Sequence, residues 1–390
     1  MQKRFTPDEG EVFPEWEEKT IEEACNVNVS NGTPGDKFIY IELGDVNKYG
    51  LLKRKNLVRK NEAPVSAKRV AKIDDVFFRS VRPGNKGHFH YTNEMSEQVV
   101  MSSAFFQLSM KDGDNEFLYQ TLNTQYFTKQ VLTRCTGTTY PTISLNEFIK
   151  LKIKIPKSIE EQRKIAAALA TYDEMIAVKT AGLETWQECK KRMVKEIFGR
   201  TKRFRDDYGN EFPEWEEKTL GEVCKYGNTH KIGKNYIKVE NMNKDFSGVT
   251  FLEPSLEKNG IAYGIGDVLM SNIRPYLRKA WLADRGGICD SDVLVFHLKD
   301  GVNVDSTFLY YTIASSEFVK WSMIGARGTK MPRCDKQHLM EKRIFLPCKE
   351  EQQKIGSFLA EIDKEIEIQK EFIKTYAEGK KRMTMELMEG

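Results

Sequence analysis

Long apolar runs are missing from this 390-residue chain. No stretch approaches the roughly 18 apolar residues that a membrane-spanning helix needs. The opening Met1-Gln2-Lys3-Arg4-Phe5 lacks the apolar stretch of a signal peptide, so a cytoplasmic location is expected. Cysteine is sparse: seven residues, an odd number, with no Cys-x-x-Cys pair and no histidine partner at zinc spacing. That favours reduced thiols over a disulfide frame or a zinc site. Histidine is scarcer still, five in all, and no Ser/His/Asp constellation stands out. A Gly-rich phosphate loop ending in Lys-Ser/Thr is absent, as is an Asn-Pro-Pro or Asp-Pro-Pro run of the kind that holds an exocyclic amine during methyl transfer. His88-Phe89-His90 offers two imidazoles with no third ligand, and Gly264-Ile265-Gly266 precedes a strand rather than a helix. No catalytic residue and no metal site is expected. A large net charge is missing too, since 61 Lys and Arg against 57 Asp and Glu leave +4. A nucleic-acid partner would have to be met by cations gathered locally.

What the chain does contain is itself, twice. Phe13-Pro14-Glu15-Trp16-Glu17-Glu18-Lys19-Thr20 recurs as Phe212-Pro213-Glu214-Trp215-Glu216-Glu217-Lys218-Thr219, and Lys3-Arg4-Phe5 and Cys25 return as Lys202-Arg203-Phe204 and Cys224, all at an offset of 199. Asp75-Val76 and Val81-Arg82-Pro83 match Asp267-Val268 and Ile273-Arg274-Pro275 at 192. Phe117-Leu118-Tyr119, Gly137-Thr138 and Pro141 match Phe308-Leu309-Tyr310, Gly328-Thr329 and Pro332 at 191. Glu160-Glu161-Gln162 and Lys191-Arg192-Met193 match Glu350-Glu351-Gln352 and Lys381-Arg382-Met383 at 190. The shrinking offset places most of the length difference between residues 20 and 75. The opening box and closing segment are close copies, while the bodies between keep scattered matches: the constant parts do one job twice, and the bodies do two related jobs.

Each closing segment reads as a long helix. Ser158-Ile159-Glu160-Glu161 has the form of a capping box, and Gly199 is the expected stop. Ile165, Leu169, Tyr172, Ile176, Leu183, Trp186, Met193 and Ile197 step by fours and threes, with Lys179 and Lys190 as polar interruptions. Ile355, Leu359, Ile362, Ile366, Ile373, Tyr376, Met383 and Leu387 take the matching steps, with Gln369 and Lys380 in the polar slots. About five heptads outlast what one small domain needs to cover and predict a coiled-coil seam. The short connection from Gly199 to Glu211 makes the pair antiparallel, with a pseudo-two-fold axis, the bodies at opposite ends, and the end of the second helix returning beside Met1.

The bodies read as mixed α/β with short strands at Phe38-Ile39-Tyr40-Ile41, Val76-Phe77-Phe78, Val99-Val100-Met101, Tyr236-Ile237-Lys238-Val239, Val268-Leu269-Met270 and Val293-Leu294-Val295-Phe296. A single short helix is expected in each, around Glu116–Tyr126 and Thr307–Trp321. Between Lys53 and Lys86 the first body carries eleven Lys and Arg against Glu62, Asp74 and Asp75. In the second, Arg274, Arg278 and Lys279 flank Tyr276, and Arg327, Lys330 and Arg333 follow. Such runs are commonly solvated surface. Here basic loops recur after the same Arg-Pro and around the same Gly-Thr turn, which suits phosphate anchoring with base-edge reading. The candidate DNA-binding residues are Lys53, Arg54, Lys55, Arg79, Arg82, Lys86, Arg134, Thr138 and Tyr140, then Arg274, Tyr276, Arg278, Lys279, Arg327, Thr329, Lys330 and Arg333. Trp16 and Trp215 suit a core anchor and a partner-facing surface equally.

The ordered set resembles the specificity subunit of type I restriction–modification systems. It comprises a Phe-Pro-Glu-Trp box, an Asp-Val strand into Arg-Pro, a Gly-Thr-x-x-Pro turn, then Glu-Glu-Gln-x-Lys-Ile opening a long helix that ends near Lys-Arg-Met. The likeness covers essentially the whole chain in duplicate. It implies an α+β (mixed α/β) fold, with two similar DNA-recognition domains separated by an antiparallel pair of long coiled-coil helices. The expected divisions are a target recognition domain over 1–156, a helix over 157–198, a linker over 199–211, a second recognition domain over 212–346 and a second helix over 347–390. The resemblance further implies double-stranded DNA as partner, read as an asymmetric bipartite site with an unread spacer. Half-sites about one helical turn, roughly 34 Å, apart would suit such a pair of readers. It also implies two docked methyltransferase subunits, optional restriction subunits and no membrane. No cofactor is expected in this chain, with S-adenosylmethionine in the methyltransferase and ATP and Mg in the restriction partner. Trp16, Trp215, Glu161 and Glu351 in the constant parts are the partner-binding candidates. The turn at Gly328-Thr329-Lys330-Met331-Pro332-Arg333-Cys334-Asp335 departs from its copy, with Arg333 and Asp335 in place of Thr142 and Ser144. The competing reading is a coiled-coil scaffold whose two domains bind proteins.

Overall fold

The computed structural model describes residues 4–7, 12–251 and 257–389; the expected return of the chain end beside Met1 lies outside them. The chain divides into two units, Met1–Gly182 with Gln369–Gly390, and Leu183–Ile368. Each unit has the same frame. In the first, Glu17–Thr20 pairs antiparallel with Lys152–Ile155, tying the opening box to the strand that leads into the long helix. In the second, Glu216–Thr219 pairs with Arg343–Leu346 in the same way. A four-stranded sheet follows, ordered Cys25–Val27, Phe105–Met110, Val76–Arg79, Phe89–His90 in one unit. Its counterpart is Cys224–Tyr226, Val293–Leu298, Val268–Ser271, Ala280–Leu282. Val76–Arg79 and Val268–Ser271 are almost wholly buried runs, which explains why they read as continuous rather than alternating apolar strands.

A second four-stranded sheet differs between the units. Both contain a three-stranded set in which one strand runs parallel to the middle one and the other antiparallel. These sets are Lys37–Ile41, Val99–Ser102 and Ala67–Val70 in the first unit, and Tyr236–Ile237, Gly287–Cys289 and Lys258–Tyr263 in the second. The fourth strand joins opposite rims. Asn56–Arg59 lies beside Lys37–Ile41, whereas His230–Gly233 lies beside Lys258–Tyr263. The added strand comes after the first strand of the set in one body and before it in the other. The expected strand Tyr236–Val239 ends at Ile237, and Val239–Asn241 is a 3-10 turn.

The single short helix expected in each body is two. Asn115–Leu122 stops and Gln125–Thr133 restarts, with Thr124 capping the second through its hydroxyl to the Phe127 amide. Ser306–Ile313 and Ser316–Ile324 break likewise at Ser315, which caps Phe318. A Thr or Ser side chain that satisfies the new helix's free amide makes the break cheaper than continuing.

The long helices run Ile159–Phe198 and Lys349–Thr384. The first contributes its opening turns to one unit and its closing turns to the other. The antiparallel pairing is visible within each unit. In the first, Ile165 and Leu169 share a core with Leu387 and Met388, Lys179 lies over the Phe372 ring and Lys380 meets Asp173. In the second, Met193 and Ile197 share a core with Ile355, Leu359, Ile362 and Ile366, and Lys190 meets Asp363. The first helix ends at Phe198, just before the expected stop at Gly199, and the left-handed residue that closes it is the next one. Arg200 takes that conformation at φ 59°, with Thr201 N–H donating to Glu196 O and Arg200 N–H to Ile197 O, the Schellman pattern. The Arg200 guanidinium sits 3.8 Å from the Phe345 ring centre, a contact glycine cannot make. Among the described residues no helix is long and apolar enough to cross a membrane.

Candidate nucleic-acid interface

In both units the Arg-Pro turn and the Gly-Thr-x-x-Pro turn are knitted together. Arg82 N–H donates to Pro141 O at 2.7 Å, and Arg274 N–H to Pro332 O at 2.7 Å. Val81 bridges Thr142 and Ile273 bridges Arg333, while Thr136–Thr142 and Arg327–Arg333 close the second turn on itself. Arg82 and Arg274 both sit at φ 49°, a left-handed conformation that a side chain disfavours by about 1–2 kcal/mol. Each stands before a proline that opens a 3-10 turn, Pro83–Asn85 or Pro275–Leu277. Strain kept in duplicate, with the same backbone bond holding it, marks this corner as the place where the fold aims an arginine.

The side chains expected there divide into exposed and inward-turned sets. Arg82 reaches across the turn, donating to Thr139 O at 3.2 Å, with its guanidinium 4.0 Å from the centre of the Tyr140 ring. Tyr140 is itself 64% exposed. Thr138 and Arg134 are exposed beside it, Arg134 lying 3.5 Å from Glu147. Lys53, Arg54 and Lys55 are exposed on the segment leading into Asn56–Arg59. In the second unit Tyr276, Thr329 and Lys330 are exposed. Arg327 and Arg333 are exposed but paired, Arg327 with Asp335 at 3.1 Å and Arg333 in a two-pronged bond with Asp292. The departures at 333 and 335 therefore have a local reading: Asp335 caps the helix Lys336–Met340 through the Gln337 and His338 amides while holding Arg327. Arg274 and Arg278 each have a buried Nε without a hydrogen-bond partner, and the Arg278 guanidinium rests over Phe246.

Three expected DNA contacts face inward instead. Arg79 donates to Val81 O at 2.9 Å; burial and the neighbouring Arg82 charge both lower its pKa. Lys86 donates to Asn123 O at 2.7 Å and to the Thr128 hydroxyl. It thus holds the junction between Asn115–Leu122 and Gln125–Thr133, and burial pushes its pKa down to about 8. Lys279 donates to Val239 O at 2.7 Å, its pKa also lowered by burial. Each of these ammonium and guanidinium groups is bonded to a backbone carbonyl, an arrangement that positions the loops.

The partner-binding candidates also need correction. Glu161 and Glu351 have no exposed side-chain surface. Glu161 accepts from Arg4 Nε and Nη2, both at 2.9 Å, and from Trp16 Nε1 at 3.2 Å. Glu351 accepts from Arg203 Nη2 at 2.9 Å and Trp215 Nε1 at 3.0 Å. The indoles are half-buried with their edges on Phe117 and Phe308. Glu161 therefore cannot complete the reciprocal capping box: Ser158 caps the Glu161 amide, but the carboxylate is committed to Arg4 and Trp16. Next to it Gln162 joins Pro156 O and the Asp114 amide, and Gln352 joins Pro347 O and the Asp305 amide. The Glu-Glu-Gln repeat is thus a pair of buried latches fastening the opening box to the long helix and body.

Sequence reasoning passed over Asp173 and Asp363. They stand at the same offset of 190 that relates Lys190 to Lys380, which is the signal that the charges in the seam are matched pairs. Among the described residues no group of three or more His, Cys, Asp or Glu side chains is placed to hold a metal ion.

Comparison with known proteins agrees with this layout. A family model described as the type I restriction modification DNA specificity domain matches residues 14–185 and again 213–375. The MjaVIII type I restriction enzyme specificity subunit of Methanocaldococcus jannaschii is 27% identical over 320 residues, 76% of this chain and 75% of its own length. The solved S subunit of a type I restriction–modification system from M. genitalium is similar in fold, with a TM-score of 0.60 at 15% identity over 98% of this chain and 99% of that one. A chain from a type I R-M system solved for its complex assembly and conformational transition gives 0.52 at 20% identity, covering 96% and 97%.

Proposed function

Because the chain belongs to the type I restriction modification DNA specificity family, whose members are non-catalytic recognition subunits, we propose that each unit reads one half of an asymmetric bipartite DNA site. The bases between the halves go unread. The observation that carries this is the duplicated Arg-Pro and Gly-Thr corner, one strained backbone with two sets of side chains. Arg82 on Tyr140 stands in one unit, and Tyr276 with Lys330 in the other. Exposed cations on such a corner suit phosphates, and the tyrosine, threonine and arginine groups suit base edges. Two weak readers on one chain raise each other's local concentration on the duplex.

The twin latches have a second consequence in this reading. By holding the two opening boxes in one conformation, they present the same surface twice, as docking of two methyltransferase subunits requires. Glu15 and Glu214, almost fully exposed at the tips of those boxes, are the groups offered to such a partner, in place of Glu161 and Glu351. S-adenosylmethionine belongs with those subunits, and ATP and Mg with a restriction subunit. The test replaces residues 21–156 by the corresponding body of a relative, followed by methylation mapping in cells that carry the methyltransferase. One half-site should change and the other stay. A change in both, or in neither, overturns the division of labour.

A further inference from the structure

We propose that the rim strand added to each three-stranded set, Asn56–Arg59 in the first unit and His230–Gly233 in the second, is a DNA-reading ribbon that makes the two half-sites different. This deepens the bipartite reading and rests on it. The three shared strands are the common scaffold, and the added strand is the one element of that sheet placed differently in the two units. Its surroundings have the same peculiar chemistry in both. No acid occurs between Asp45 and Glu62, which bracket six Lys and Arg, nor between Glu222 and Glu240, which bracket four Lys and His230. Each strand exposes one aliphatic side chain amid those cations, Leu57 at 51% and Ile232 at 75%.

In the first unit the alternation of the strand explains the display. Val58 packs toward Phe38, Tyr40 and Val100, which turns Leu57 and Arg59 to solvent. The segment is pinned at its start: Lys53 N–H donates to Asp45 O, and Asn56 Nδ2 to Asp45 Oδ2 at 2.9 Å. The neighbouring turn abuts the Arg-Pro corner, where a side chain added at Gly87 would lie 3.1 Å from Asn47 O. In the second unit a glycine stands opposite the ribbon, packed tightly against the next strand. A Cβ at Gly260, opposite Lys231, would lie 2.6 Å from Cys289 O.

Lysine on a sheet rim also blocks pairing with another chain's edge, a role that needs no exposed leucine or isoleucine. An aliphatic group flanked by cations matches what a major groove offers, a thymine methyl between two phosphate rows, and that groove admits a two-stranded ribbon. The observations therefore favour duplex DNA over a protein strand as occupant.

The experiment uses the full chain assembled with its methyltransferase, selecting from a duplex library randomised across both half-sites. Leu57→Ser and Ile232→Ser are surface changes that leave the cores intact. Each should relax base preference about five- to tenfold at a position in one half-site only, a different half for each variant. Arg59→Ala and Lys231→Ala should weaken binding and flatten its salt dependence. Unchanged preference in the serine variants overturns the proposal, as does a uniform loss of affinity or aggregation without a change in preference. A wild-type assembly that selects no bipartite site sinks the parent reading instead, and the two failures are told apart in the same selection.

Discussion

Lys380 Nζ lies 2.6 Å from both carboxylate oxygens of Asp173, and that carboxylate also accepts a bond from Gln120 Nε2 at 2.8 Å. One acid thus ties the second long helix, the first long helix and a body helix at a single point. The other unit repeats it with the charges exchanged between helices: Lys190 meets Asp363, and Tyr311, at the position of Gln120, donates its hydroxyl to Asp363 at 2.8 Å. A heptad seam of aliphatic residues slides easily; a half-buried charge matched to an opposite charge across the seam fixes its register.

Asp173→Ala should therefore cost more than an exposed ion pair would, about 2–4 kcal/mol, because it leaves Lys380 in a mostly enclosed place without its carboxylate and removes one of the two acceptors of Gln120 Nε2, which keeps Glu116. Replacing both Asp173 and Lys380 by leucine should recover most of that loss. Urea unfolding of the three variants checks this; a double variant as unstable as the single one would remove the register argument.

Glu161→Ala leaves Arg4 Nε and the Trp16 indole N–H without an acceptor beside a packed core, while Arg4 Nη2 keeps Pro14 O. A loss of about 2–4 kcal/mol is expected in urea unfolding. Glu161→Gln should lose less, since an amide oxygen still accepts from one of the two donors. Trp16 fluorescence should report release of the indole at lower denaturant in the alanine variant.

Lys86 and Arg82 are neighbours in sequence with opposite expected behaviour. Arg82→Ala should lower DNA affinity and reduce its salt slope by about one. Lys86→Ala should leave the salt slope intact and destabilise the first unit by about 1–3 kcal/mol, because the carbonyls of the helix junction lose their donor. A shallower slope for Lys86→Ala would return that residue to the interface.

His90 bonds Glu116 through Nδ1 at 2.7 Å and Asp74 through Nε2 at 2.8 Å, and the protonated ring donates to both carboxylates. Burial opposes its protonation, but the hydrogen bonds and charges of Glu116 and Asp74 outweigh burial and raise its pKa. Burial also works against ionisation of Glu116, and the bonds from His90 and Gln120 overcome it and hold its pKa low. The contribution of His90 is full below its unfolded value, near 6.5, and fades as pH rises through the raised folded value. That of Glu116 is present above its unfolded value and fades as pH falls through the lowered one. Stability of the wild type measured from pH 6 to 9 should fall relative to His90→Leu, whose side chain matches Leu282 at the equivalent position. Parallel curves would exclude the coupling.

The repeat and the heptads were legible because both are carried by residues near in sequence or at one fixed offset. Ile355, Leu359, Ile362 and Ile366 are buried as their spacing demands. The strands Val76–Arg79 and Val268–Ser271 were legible for the same local reason. The destination of long polar side chains was not. Lys86 and Arg82 carry the same charge on the same loop, yet one meets helix carbonyls some 40 residues away and the other an exposed ring. Charge counts cannot separate them. The helix breaks at Thr124 and Ser315 were missed because an apolar pattern continues across them, and only the cap hydroxyl betrays the interruption. The opposite rims occupied by the added strands depend on pairings across the sheet, which no spacing within the strand records.

The left-handed backbone at Arg82 and Arg274 has a price in evolvability. Glycine at either position would relax the chain by about 1 kcal/mol and yield a sturdier fold that has lost its guanidinium. Random drift selected for robustness alone would erase both arginines, so their persistence in a lineage under changing selection would register whether recognition is still being used.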